Sequence, residues 1–275
     1  METQQIIQSL SYVTWVLLGG LAVGSFALVW LLRQATDATS GFLGFSAILA
    51  AVIGLGWLAV EWGLPVPTEL AIDSAIDLDE PRRAAIAAMS LLALLSGVRF
   101  RRGGRALWLG AASILAGVAA MALGAWAWSG GQPIGVSMLV QFLALAAVTG
   151  GSMAAVVLAH WYLVTPKISE QPLLLTTRLL MVVLGIQLLL FGVWTAAGIP
   201  DLEPFEVLTG PNMIFVWLRL VVGLVFPLVL AAMAYRTALT RSMESATGLL
   251  YIEFALVMAS TIVAAGLLFG EGLLV

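Results

Sequence analysis

Leu10–Leu32 reads LSYVTWVLLGGLAVGSFALVWLL and contains no charged residue. At about 1.5 Å of rise per residue, a helix of that length crosses the roughly 30 Å apolar core of a bilayer. Seven further apolar stretches follow, at Gly41–Leu64, Ala84–Val98, Leu107–Trp128, Ile134–Val164, Leu173–Gly198, Pro211–Tyr235 and Ala246–Phe269. The third is the shortest, and the fifth is long enough to tilt or protrude. Hydrophobic residues make up 61% of the 275 positions and charged residues 10%, with a mean hydropathy of +1.07. Soluble domains carry about 25% charged residues, so a water-soluble fold is excluded. The chain reads as an all-α integral membrane protein of about eight transmembrane helices, a single membrane domain over 1–275. Met1 to Ser9 holds Glu2 and no Lys or Arg, the wrong charge for a secretory signal peptide, so the first helix is expected to stay.

Orientation follows from the basic residues. Arg33 follows helix one; Arg99, Arg101, Arg102 and Arg105 lie between helices three and four; Lys167 lies between five and six, with Arg178 soon after; Arg236 and Arg241 lie between seven and eight. These loops alternate, so they share one side, expected to be the cytoplasm, and both termini lie outside. Acidic residues mark the other side: Glu69, Asp73, Asp77, Asp79 and Glu80 ahead of Arg82 and Arg83, then Asp201, Glu203 and Glu206. The proline-bounded segment Leu64–Pro81 is expected to lie as a short helix at the outer interface. Asp73 and Asp77, four apart, could present oxygens to calcium, but a solvated acidic loop is favoured because no standard calcium-loop spacing occurs. Trp62, Trp126, Trp128 and Trp194 near outer helix ends read as an aromatic belt.

Much chemistry is excluded. With no cysteine and only His160 as histidine, the chain itself offers no disulfide, iron–sulfur cluster, bis-histidine haem or multi-histidine metal site. Its one lysine, Lys167, falls outside a helix end, against retinal. No basic arm or tail suggests nucleic acid. An electron-transfer role therefore needs a quinone or a partner's cofactors.

Ionisable residues within spans are functional candidates because burying charge in lipid is costly. Arg178, Glu253 and His160 lie at similar depths near the cytoplasmic third, on three helices. They read either as a proton-relay or head-group site or, the favoured alternative, as an Arg178–Glu253 ion pair joining helices six and eight with His160 capping at the interface. Towards the outer side, Glu61 ends helix two and Arg219 lies in helix seven, within reach if the arginine snorkels. Asn212, Gln132 and Gln141 share that outer half, while Gln187 reads as interhelical glue. Tyr12 and Trp15 sit at the outer start of helix one, where belt residues are expected.

Gly19-Gly20-Leu21-Ala22-Val23-Gly24-Ser25 in helix one is echoed by Gly150-Gly151-Ser152-Met153-Ala154-Ala155-Val156 in helix five. Two readings stand: a parallel duplication into halves 1–130 and 131–275, each a four-helix bundle, or small residues at close helix contacts.

The stretch Trp15-Val16-Leu17-Leu18-Gly19-Gly20-Leu21-Ala22-Val23-Gly24-Ser25-Phe26 resembles the first-helix pattern of the polysulfide-reductase membrane subunits, the NrfD/PsrC type. That resemblance implies an eight-helix, haem-free quinol-binding anchor. A ferredoxin-like iron–sulfur protein docks on such an anchor and passes electrons to a molybdenum-type catalytic subunit. Paired glycines let another helix, or a flat quinone ring, approach the backbone. The family's best-described quinone site includes a histidine on helix one, and none is present here; Tyr12 and Trp15 lie near that depth without matching the motif. The segment Ala159-His160-Trp161-Tyr162-Leu163-Val164-Thr165-Pro166 has no assigned counterpart.

The expected function is a quinone- or quinol-interacting anchor of an electron-transfer complex, in a bacterial inner membrane, with iron–sulfur and catalytic partner subunits. It is at most the non-catalytic membrane subunit of an oxidoreductase. A small-solute or ion transporter is the alternative from another class, and Pro227 in helix seven supplies a little of the interrupted-helix pattern. A purely structural membrane subunit is the third.

Overall fold

The computed structural model describes residues 3–72, 76–130, 134–165, 167–198 and 202–275. Helix is the only regular element among them: α1 (Thr3–Ala35), α2 (Ser40–Trp62), α3 (Asp79–Arg101), α4 (Leu107–Trp128), α5 (Ile134–Val164), α6 (Gln171–Ala197), a 3-10 turn at Glu206–Leu208, α7 (Met213–Leu239) and α8 (Met243–Glu271). Each of α1 to α8 is long and apolar enough to cross a membrane, the architecture of a multi-pass integral membrane protein. Asp73, Gln132 and Asp201 lie outside the described residues.

The third span is not the short one its apolar run suggests. Asp79 and Glu80 enter its first turn and Arg99 and Arg101 its last, the charge order that suits the helix dipole. Elsewhere the ends are set locally: the Thr39 side chain accepts from the Phe42 N–H, and Gly198 and Gly272 close α6 and α8 in the left-handed conformation.

Leu55, Leu115, Leu189, Ile214 and Ile252 are among many large apolar side chains left exposed, more contiguous apolar surface than a soluble monomer shows. The helix contacts inside are made by small residues instead, such as Ala47, Ala50 and Gly54 on α2 with Ala93 and Gly97 on α3.

Helices α1 and α5 are the most buried and cross at the centre, where Gly24 and Gly150 bring the two backbones together. Contacts pair up about that crossing. α1 touches α8 as α5 touches α4, and the cycle α1–α2–α3–α4 is matched by α5–α6–α7–α8. α5 and α6 each begin 131 positions after α1 and α2 (134 − 3 and 171 − 40).

One helix is irregular. Within α7, Leu218–Val225 winds as a π-helix, with the Phe226 N–H on the Val221 carbonyl. Pro227 has no N–H for the Gly223 carbonyl and crowds it, which opens the ladder immediately upstream.

The separate helix expected within Leu64–Pro81 does not form over its described part: residues 64–72 and 76–78 are not helical, and Asp79–Pro81 belong to α3. That strand of chain is tied down by side chains and backbone instead: Ala71 N–H donates to the Phe269 carbonyl at 3.0 Å, and the Gln8 side chain holds Thr68 at 3.2 Å and the Glu69 N–H at 3.1 Å. Asp77 accepts from the Asp79 N–H at 3.0 Å, which starts α3.

Candidate functional site

At the acidic end, Glu61 on the last turn of α2 and Arg82 on the first turn of α3 face each other across the loop that joins them. Both are buried, with Glu61 1% and Arg82 2% exposed. Arg82 Nη2 lies 2.8 Å from Glu61 Oε1, and its Nε lies 2.9 Å from Oε1 and 2.8 Å from Oε2. Trp15 Nε1 on α1 donates to Oε2 at 2.6 Å. The carboxylate is thus fully engaged by charge-assisted bonds. Arg82 continues to Asp79, half exposed, at 2.7 Å.

Aromatic rings enclose the pair. Trp15 meets Trp57 at 4.9 Å and Trp128 at 4.7 Å, both edge to face; Tyr12 meets Trp128 at 5.0 Å; the Arg82 guanidinium lies 5.0 Å from the Trp128 ring centre. The Tyr12 hydroxyl donates to the Pro65 carbonyl at 2.8 Å and pins the loop above. Beneath that loop is a cavity of about 260 Å³ lined by Tyr12, Pro65, Asp77, Asp79, Arg82 and Trp128, among others. Arg82 Nη1 is buried and has no hydrogen-bond partner.

Of the sequence candidates, Tyr12, Trp15 and Glu61 therefore come together, but as a buried cluster and not as interfacial belt residues. Trp128 and Trp194 are buried too; Trp62, two-thirds exposed with Arg83 over its ring at 4.7 Å, fits the belt pattern. Arg219 does not reach Glu61. The missed partner is Arg82, which reads in sequence as one more loop charge. Its signal is the hairpin: a turn-bounded connection returns the first turn of α3 to the height at which α2 ends.

Arg219 instead points into the second half from the π-helical segment, buried at 2% exposure. It donates to Gln187 Oε1 on α6 at 2.7 Å and to Ser260 Oγ on α8, and its Nε has no partner. Gln187 also donates to the Ala144 carbonyl at 2.6 Å, so it does join helices.

The expected meeting of Arg178, Glu253 and His160 does not occur. Arg178 faces outward and is held by the Tyr235 hydroxyl at 2.6 Å. His160 is exposed, its Nδ1 3.5 Å from the Tyr251 hydroxyl. Glu253 faces α5 and accepts from Ser152 Oγ at 2.7 Å. They stay apart because their side chains leave their helices in different directions. The neighbours of His160 have structural work: Trp161 covers Gly41 and stacks near Phe42 and Phe45, and the Tyr162 hydroxyl donates to the Ser169 carbonyl at 2.5 Å, closing the α5–α6 turn. Asn212 lies in a separate surface hollow with Glu206 and Glu271, and Gln141 donates to the Val275 main-chain oxygen at 2.8 Å. Among the described residues no group of three or more His, Cys, Asp or Glu could hold a metal ion. Compared with family models, with curated proteins and with solved structures, the chain matches none.

Proposed function

We propose that this chain is the haem-free, quinone- or quinol-interacting membrane subunit of an electron-transfer complex. It would sit in the bacterial inner membrane with the acidic end and both termini outside. The observation that carries this reading is the cavity lined by Tyr12, Trp128 and Arg82, an arginine whose buried Nη1 lacks an acceptor. A quinone carbonyl is an acceptor of the right kind, and a flat ring suits the edges of Tyr12 and Trp128. At about 260 Å³ the space lies just below the roughly 300–1,000 Å³ of drug-sized pockets. It admits a head group and leaves an isoprenoid tail outside.

When bound, a quinone supplies two-electron, two-proton redox chemistry. The chain's own part is to hold the ring, exclude water and present a charged pair at its edge. Glu61 fixes the Arg82 guanidinium by two of its three nitrogens, and Asp79 links that pair to water. The helix-one resemblance supports the same class of function, and Tyr12 and Trp15 lie on the same helix, about one to two turns before the paired glycines. Iron–sulfur and catalytic partner subunits are expected to complete the assembly.

Purification of the native assembly tests the reading. Quinone and iron–sulfur subunits are expected to co-purify, and Glu61→Gln is expected to weaken quinone binding roughly tenfold, about the worth of one charge-assisted hydrogen bond. A clean monomer holding neither would overturn it.

Orientation has its own test, helped by the absence of native cysteine. Thr68→Cys at the acidic end is expected to react with a membrane-impermeant maleimide on intact cells, and Arg102→Cys at the basic end only after permeabilisation. The opposite pattern would reverse the topology.

A further inference from the structure

We propose that the second half of the chain contains an internal proton site at Glu253, filled and emptied from the basic end, with Arg219 as the fixed charge that stops a proton from passing further. The inference rests on the membrane reading of α5 to α8 and is independent of the quinone reading.

The two buried glutamates among the described residues are treated very differently. Glu61 has an arginine and a tryptophan on its oxygens. Glu253, fully buried on α8, has one neutral hydroxyl, Ser152, on Oε1, and its Oε2 has no partner. No ion pair to it exists among the described residues. A carboxylate kept only to tie helices together would be matched by a cation or by several donors, because an unpaired buried charge is costly. A carboxyl that takes up and releases a proton needs an open oxygen and a hydroxyl neighbour. Glu253 has both.

Polar groups continue the line in layers. On the acidic side of Glu253, Thr149 on α5 and Thr261 on α8 share a hydrogen bond of 2.7 Å, and level with them Ser260, next to Thr261 on α8, and Gln187 hold Arg219. Ser152 and Thr149 lie on consecutive turns of α5, and Glu253 and Ser260 are two turns apart on α8, roughly 10 Å of helix rise. On the basic side the Thr247 hydroxyl reaches the Ala159 carbonyl at 3.1 Å, and Ala155, Ala159 and Ala246 keep the helix faces narrow. A proton would enter from water at the basic end, past Thr247, and bind Glu253 Oε2, the oxygen that has no partner. It would leave by the same route, and no electron moves.

Arg219 closes the other direction. It is permanently cationic, its two hydrogen-bonded partners are neutral, and a lone guanidinium in a narrow apolar interior repels an approaching proton. Packing there is tight as well, since a Cβ at Gly223 would overlap the Ser260 side chain. Of the elements packed against α8, α5 brings the hydroxyls of Thr149 and Ser152, α7 brings Arg219, and α1 meets it through Tyr12 against Phe269 towards the acidic end. Arg178 with Tyr235, and His160 with Tyr251, stand apart on exposed positions towards the basic end.

The full chain in liposomes tests this in two ways. Infrared difference spectra are expected to contain a carboxylic-acid C=O band that shifts in D2O and disappears in Glu253→Gln. Proton uptake driven by a potassium diffusion potential is expected to be tight in the unaltered protein, to rise roughly tenfold in Arg219→Gln, and to fall back in Arg219→Gln/Glu253→Gln. An exchanging band that survives Glu253→Gln, no such band at all, or a leak that persists in the double variant would overturn the proposal. If Arg219→Gln fails to assemble, the infrared result alone decides.

Discussion

Arg82→Ala is expected to destabilise the protein by about 3–5 kcal/mol, the cost of leaving a buried carboxylate without its cation. Glu61 would keep only the Trp15 N–H, and the Trp128 ring would lose the guanidinium that lies over it. For a chain of this size the loss corresponds to a fall in melting temperature on the order of 10 °C. Tryptophan fluorescence of the detergent-purified protein is a direct readout, because Trp15, Trp57 and Trp128 pack around the pair. The neighbouring Arg83→Ala is the control. Its contacts to Asp79 and Glu80 at 3.3 and 3.1 Å are in reach of solvent, so about 0–1 kcal/mol is expected. Glu61→Gln/Arg82→Gln removes both charges together and is expected to be milder than Arg82→Ala. A double variant as damaged as the single one would mean that the site depends on shape and not on charge pairing.

How legible this pair was in the sequence shows where such a reading stops. Helix number follows from uninterrupted apolar runs, because it depends on the length of each run alone. Partnership depends also on direction around the helix axis, at about 100° per residue, and no single run discloses which side faces inward when nearly every position is apolar. Glu61, Arg219, Arg178 and Glu253 have other partners than their sequence positions suggest for that reason. Trp62 and Trp128 make the same point: both lie at acidic-end termini, yet one faces out and the other lies in the core. Arg82 was hidden by its setting among Asp79, Glu80 and Arg83, where a solvated cluster is the ordinary interpretation. The π-helical segment was foreshadowed only by Pro227.

Gly24→Ala and Gly150→Ala are expected to have effects at least as large, for a steric reason. A Cβ at Gly24 would overlap the Ala146 carbonyl, and one at Gly150 would overlap the Ser25 amide and approach the Gly20 carbonyl at 2.5 Å. Overfilling a packed core typically costs 1–3 kcal/mol because side chains can shift. Here backbone meets backbone, so only the helices themselves can move, and about 3 kcal/mol or more is expected. Gly151, in the helix-five motif, and Gly185, on α6, are calibrated controls. Gly151→Ala meets only the flexible end of Leu180 at 3.2 Å, and Gly185→Ala meets nothing within 4 Å, so both are expected to be nearly neutral. Melting temperatures of the four variants check the order. The same crossing bears on the acidic-end site, since Tyr12 and Trp15 ride on α1 about two to three turns from Gly24. Gly24→Ala protein that still assembles is therefore expected to bind quinone more weakly than Gly151→Ala protein. Glycines in the helix-one motif open the backbone to α5 and, at Gly19, to the Trp57 ring, which an added Cβ would overlap at 2.7 Å, so their work in this chain is helix approach.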